Sequence, residues 1–96
     1  MSRESNIVGN IRRYLKTVGG KSIKMHGSQF SEAGTPDILW IHNGHAFWFE
    51  VKRPGEDPTK IQLHRIAEWT AAGASVAVVR SVAEARAVVE ERETTT

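Results

Sequence analysis

The dipeptide Asn43-Gly44 constrains this chain more than any other feature. It is flanked by DILWIH (37–42) and HAFWFEVK (45–52), two runs rich in the β-branched and aromatic residues that favour strands. Asn-Gly readily adopts the positive φ angles of a two-residue type I′ turn, so these runs are expected to form a tight hairpin. A two-residue turn also fixes the register. His42 then faces His45, Ile41 faces Ala46, and the same pairing carried outward sets Asp37 opposite Glu50. Both faces of the hairpin carry apolar residues, so its strands are expected to be central in a covered sheet. Trp40, Phe47, Trp48 and Phe49 belong to that core rather than to a base-stacking surface.

The remaining elements fit around the hairpin. Ile7, Ile11, Leu15 and Val18 fall on one face at helical spacing, which predicts a helix over 3–18 with Ser2 as N-cap and Gly19-Gly20 at its end. Residues 21–26 read as a short strand and 27–36, rich in turn formers, as a loop that could mould to a ligand. Asp57-Pro58 offers an N-cap and first-turn proline for a second helix, with Leu63, Ile66, Ala67 and Thr70 as its inward stripe and Gly73 at its end. Residues 75–80 read as a buried strand following a helical crossover, so it can lie parallel to a hairpin strand. Ser81 and Glu84 form a capping box that opens a last helix, with Val82, Ala85, Val88 and Val89 facing inward. The expected fold class is therefore α/β, in the order α-β-β-β-α-β-α, with a mixed central sheet flanked by helices. The 96 residues suit one domain, assigned to 1–92 with a short tail at 93–96.

Composition excludes several classes. The chain has no cysteine, which rules out disulfides and thiolate metal sites. No apolar run approaches the roughly 20 residues of a membrane span. The opening MSRESNIVGN lacks the apolar segment of a signal peptide, so a cytoplasmic protein is expected. A net charge of +2 permits nucleic-acid binding without arguing for it.

The hairpin register carries the chemistry. Directly opposed residues have Cβ atoms about 4.5–5.5 Å apart, where two like charges destabilise unless something compensates. Lys52 lies two residues past Glu50 and so points to the same face. Two carboxylates and a lysine then converge at the end of a sheet. Mg²⁺ suits such a place, since it takes one or two carboxylates and completes its shell with water and phosphate oxygens. Asp37 and Glu50 are the expected ligands, with the Val51 carbonyl as a third. Lys52 is placed to orient or deprotonate a water, or to neutralise charge at a reacting phosphate. An isolated Asp or Glu would read as solvated surface; the shared register argues for a site.

At these residues the sequence resembles the PD-(D/E)xK nuclease superfamily: Pro36-Asp37, then Glu50-Val51-Lys52. More narrowly, Gly34-Thr35-Pro36-Asp37, the Glu50-Val51-Lys52 triplet and Gln62 on the next helix resemble a stand-alone VRR-NUC domain, with a core similar to that of archaeal-type Holliday-junction resolvases. The resemblance covers about residues 3–80. It implies a restriction-endonuclease-like fold, Mg²⁺ with Mn²⁺ as a substitute, and metal ligation by Asp37 and Glu50. It also implies catalytic roles for Lys52 and Gln62, and for Glu4 on the first helix. Glu4 reads equally well as a helix N-terminal acid favoured by the dipole.

The expected activity is a structure-specific DNA endonuclease, with branched or four-way-junction DNA as partner. A homodimer is expected, because two-fold symmetry suits two cuts in a symmetric junction. A nuclease acting on flap, nicked or duplex DNA, or a non-catalytic DNA-binding module, are the alternatives. Arg12, Arg13, Lys16, Lys21, Lys24, Arg53, Lys60 and Arg65 are candidate phosphate contacts. The four histidines lack metal-ligand spacing; His42 and His45 are expected beside the turn, and His26 and His64 at the surface.

Overall fold

The structure is a computed structural model that describes residues 3–25 and 33–94. The elements are α1 (Arg3–Val18), β1 (Lys21–Lys24), β2 (Ile38–His42), β3 (His45–Val51), α2 (Lys60–Ala71), β4 (Ser75–Val79) and α3 (Val82–Thr94). The expected order is the observed one. The Ser2 cap, His26 and most of the 27–36 loop lie outside the described residues.

The strands form one four-stranded sheet in the order β1-β2-β3-β4. The β2–β3 hairpin closes at Asn43 and Gly44, with φ of 50° and 76°, as a type I′ turn requires. Its register is the expected one: His42↔His45, Ile41↔Ala46, and so on to Ile38↔Phe49. β1 adds to β2 antiparallel, and β4 adds to β3 parallel through the α2 crossover. The hairpin strands are thus central and β1 is an edge.

Alternation along the strands sorts the two faces. Ile38, Trp40, Phe47, Phe49, Val51 and Val79 point to one face and form the core with Val8, Ile11 and Leu15 of α1 and Ala85 and Val89 of α3. The stripes read from α1 and α3 are the ones that pack. α3 continues through Thr94, so Glu93 and Thr94, read from sequence as tail, are helical. Its cap differs slightly from a closed box. Glu84 N–H donates to Ser81 Oγ, but the Glu84 carboxylate accepts from the Arg80 N–H rather than from that of Ser81.

α2 covers the other face and departs from the sequence reading twice. Its N-cap is Thr59, not Asp57. Asp57 instead meets Arg80, whose guanidinium also donates to the Glu56 carbonyl at 2.6 Å, so the 56–58 segment is held as a loop. The expected inward stripe is also displaced. Leu63 is 52% exposed, Ala67 and Thr70 are exposed, and no residue of α2 is fully buried. Its sheet contacts run through Gln62 and Trp69, the latter packing on Trp48 with ring centroids 4.7 Å apart. Ile23 and Ile41 on that face remain 46% and 43% exposed, so the sheet is covered only in part. Among the described residues, no helix is long and apolar enough to cross a membrane.

Candidate active site

The site forms where the hairpin opens, at the end away from the turn. Asp37 immediately precedes β2, and its carbonyl still accepts from the Met25 N–H at 2.7 Å, which ties it to the edge strand. Its Oδ2 accepts from the Val51 N–H at 2.8 Å, so the carboxylate bridges directly to β3 beside Glu50. Glu50 is the one buried charged side chain among the described residues, with 2% of its surface exposed. Lys52 Nζ lies 3.6 Å from Glu50 Oε2 and is itself mostly buried. The register read from Asn43-Gly44 therefore brings the two acids and the lysine together.

Why Asp37 arrives there is explained by the residues before it. Gly34 has φ of +83°, and a Cβ at this position would stand 2.9 Å from the Ile61 carbonyl of α2. Only glycine allows that approach without displacing the helix. Pro36 follows fully buried and favours an extended residue before it. The Gly34-Thr35-Pro36 segment thus wedges against the start of α2 and delivers Asp37 to the sheet end.

Gln62 joins the site through the cap of α2. Its backbone N–H donates to Thr59 Oγ1, and its Oε1 accepts from the Thr59 N–H at 2.8 Å, completing a capping box. Because Oε1 is engaged there, the amide presents Nε2 to the sheet, and Nε2 donates to Glu50 Oε2 at 2.8 Å. Gln62 is therefore a positioning residue that fixes the Glu50 carboxylate. The Thr59-x-x-Gln62 pattern is a capping-box signal in the sequence that the Asp57-Pro58 reading missed.

The electrostatics follow from this packing. Burial, and then the charge of Asp37, push the Glu50 carboxyl up to about 8, against the opposing pull of Lys52. Two carboxylates held this close, one of them dehydrated, form a place where a divalent cation is electrostatically favoured. Among the described residues no three His, Asp or Glu side chains group together as a metal cage. Two carboxylates could serve as donors there, the number Mg²⁺ uses when water and phosphate oxygens supply the rest. Val51 enters the site through its backbone, with its N–H on Asp37 and its side chain in the core.

The other expected residues are placed differently. Glu4, in the first turn of α1, exerts its charge on Arg53 and does not join the pair. Arg53 is clamped by Glu56 through Nε and Nη2, which holds the Glu56 carboxyl down at about 2. His42 stacks on Trp40 at 4.8 Å, and His45 hydrogen-bonds Ser75 at 2.7 Å, at the far end of the hairpin. Neither is near the carboxylates. His64 is exposed and faces Glu68 on the surface of α2.

No sequence-family model matches the chain, and neither does any curated protein. A solved structure described as a VRR_NUC domain does match. It superposes with a TM-score of 0.80 at 25% identity, over 94% of this chain and 97% of its own. With the Gly34–Asp37 segment, the Glu50-Val51-Lys52 triplet and Gln62 all gathered at one end of that fold, the chain is similar over nearly its whole length to a VRR_NUC domain and has that nuclease-type architecture.

Proposed function

We propose that this chain is a Mg²⁺-dependent, structure-specific endodeoxyribonuclease that hydrolyses phosphodiester bonds, with Mn²⁺ able to substitute. The observation that carries the reading is the buried Glu50 carboxylate, fixed by Gln62 and facing Asp37 and Lys52 at the sheet end. Asp37 and Glu50 would hold the cation, with the Val51 carbonyl as a further oxygen. When bound, the cation supplies an activated water and stabilises charge developing on the phosphoryl group.

The chain's own groups do the rest. The Asp37 side chain is fixed by the Val51 N–H, and that of Glu50 by Gln62, so neither must reorganise when substrate arrives. Lys52 holds its ammonium beside Glu50, where it neutralises charge at the reacting phosphate or orients a water. Glu4 is assigned a supporting role through Arg53, outside the pair of ligands.

The finer part of the proposal is a homodimer that prefers four-way junctions to linear duplex. A symmetric junction needs two cuts, and a two-fold dimer supplies two sites in matching orientation. The experiment is a cleavage panel of junction, flap, nicked and duplex substrates with Mg²⁺, run beside a solution mass measurement. Asp37→Asn should abolish cleavage while leaving the fold intact. Near-normal turnover by that variant in saturating Mg²⁺ would refute the site. A monomer cutting every substrate equally would refute only the junction and dimer reading.

A further inference from the structure

Three arginines that the sequence offers near the site or beyond it are held by acids, whereas Lys60 at the start of α2 has no ion-pair partner among the described residues. Arg53 is neutralised by Glu56, and Arg65 by Glu68 at 2.8 Å. Arg80 is tied to Asp57 and Glu56. Across the molecule, on α1 and β1, the pattern is the reverse. From Ser5 to Ser31 the sequence contains no Asp or Glu, yet it holds Arg12, Arg13, Lys16, Lys21 and Lys24. Among the described residues none of Arg12, Lys16, Lys21 and Lys24 has a carboxylate ion-pair partner. Glu90 and Glu93 of α3, the other helix on that face, exert their charge on Tyr14 of α1, but no acid of α3 forms an ion pair with these four cations among the described residues.

This surface is shaped as well as charged. A cleft of about 350 Å³ opens between α1 and β1, and its polar lining is Arg12, Lys16, Lys21 and Ser22. Arg12 is held in it by Ser22, with Nε donating to Oγ at 3.2 Å and Nη2 to the carbonyl at 3.3 Å. Strand alternation puts Lys21 on the face of Asp37, while Ser22 and Lys24 point to the α1 face. The cations therefore wrap the β1 edge of the sheet. That edge leads into the candidate site, because Met25 at its end bonds the Asp37 backbone. At about 3.4 Å per strand residue, Lys21 lies roughly 14 Å from Asp37, about four base steps of 3.4 Å.

We propose that the α1–β1 edge is a nucleic-acid backbone track, on which the duplex flanking the scissile phosphate lies with its phosphates against Arg12, Lys16, Lys21 and Lys24. The proposal rests on the nuclease reading and assigns that reading its substrate footprint. An unneutralised row of cations at the sheet edge raises the local phosphate concentration and contributes sequence-independent affinity. The clamped Arg53 and Arg65 contribute much less, because their charge is already satisfied.

The test is the salt dependence of duplex DNA binding, measured in Ca²⁺ by anisotropy, for the parent and for the combined Lys16→Ala, Lys21→Ala, Lys24→Ala variant. All three side chains are exposed, so the fold should hold. Each lost phosphate contact lowers the slope of log K against log salt by about 0.9, so the slope should fall by about two to three. A parent that binds and cuts DNA while the variant keeps its slope overturns the track and leaves the nuclease reading intact. Aggregation of the variant with an unchanged slope also overturns it, because the lysines would then merely guard a sheet edge. Loss of binding to anionic lipid vesicles without loss of DNA binding overturns it in favour of a membrane surface. A parent that neither binds nor cuts DNA overturns both.

Discussion

Replacing Glu50 by Gln should make the metal-free protein more stable, and by an amount that grows with pH. Glu50 titrates near 8 in the fold, raised first by burial and then by Asp37, against 4.5 as an ordinary side chain. Between those values the folded chain keeps a proton that the unfolded chain has lost. Rising pH therefore favours unfolding, by about 1.4 kcal/mol per pH unit. Integrated from pH 5 to pH 7, the Glu50 contribution removes about 2 to 3 kcal/mol of stability. It is present in full above pH 8 and absent below about pH 4. A glutamine keeps the shape and can still accept from Gln62 Nε2, yet has nothing to titrate. The difference between the two proteins therefore reads Glu50 together with the Asp37 and Lys52 charges coupled to it. Thermal melts in chelator at several pH values should show the gap widening by roughly 10–20 °C from pH 5 to pH 7 for a domain of this size. Added Mg²⁺ should raise the midpoint of the parent and not that of the variant, because the cation favours the ionised carboxylate. Melting curves that stay parallel across the pH range would refute the claim that an ionisable, dehydrated Glu50 opposes folding.

Three further outcomes follow from the same geometry. Lys52→Ala should lower the cleavage rate by at least tenfold while changing DNA affinity little, since one cation matters most where charge develops; equal losses in rate and affinity would make Lys52 a binding residue. Gln62→Ala should weaken Mn²⁺ binding by about tenfold, as loss of a group that orients a metal ligand does, and should also cost about 1 kcal/mol through the broken cap; unchanged Mn²⁺ affinity by titration calorimetry would reduce Gln62 to a cap alone. Mg²⁺ binding at pH 7 should release close to one proton, because Glu50 must ionise to ligate; calorimetry in buffers of different ionisation enthalpy reads this, and no release would contradict the raised Glu50 titration.

The parts of this protein that sequence determined are those set by local chemistry. Asn43-Gly44 fixes a two-residue turn, a two-residue turn fixes register, and register alone puts Asp37 across from Glu50 with Lys52 on the same face. The α1 and α3 stripes were legible for the same reason, since helical spacing selects a face wherever the whole face is buried. Tertiary structure decided what depends on competition between distant groups. Asp57-Pro58 is a sound local helix start, but Arg80, far along the chain, draws Asp57 and the Glu56 carbonyl into a loop and leaves the cap to Thr59. The α2 stripe failed because that helix covers only part of one sheet face, so Trp69 finds Trp48 while Leu63 stays in solvent. Gln62 could be suspected from sequence, but its role as an orienter of Glu50 needed both ends of its amide to be placed. Strand order was beyond local reading too, and it makes β1 one of the two edge strands. The same holds for charge. Arg53 with Glu56 and Arg65 with Glu68 are i,i+3 neighbours whose pairing is local, whereas only the fold brings Arg80 to Asp57 and leaves the lysines of α1 and β1 without a carboxylate partner among the described residues, because neutralisation between distant segments depends on distance in space.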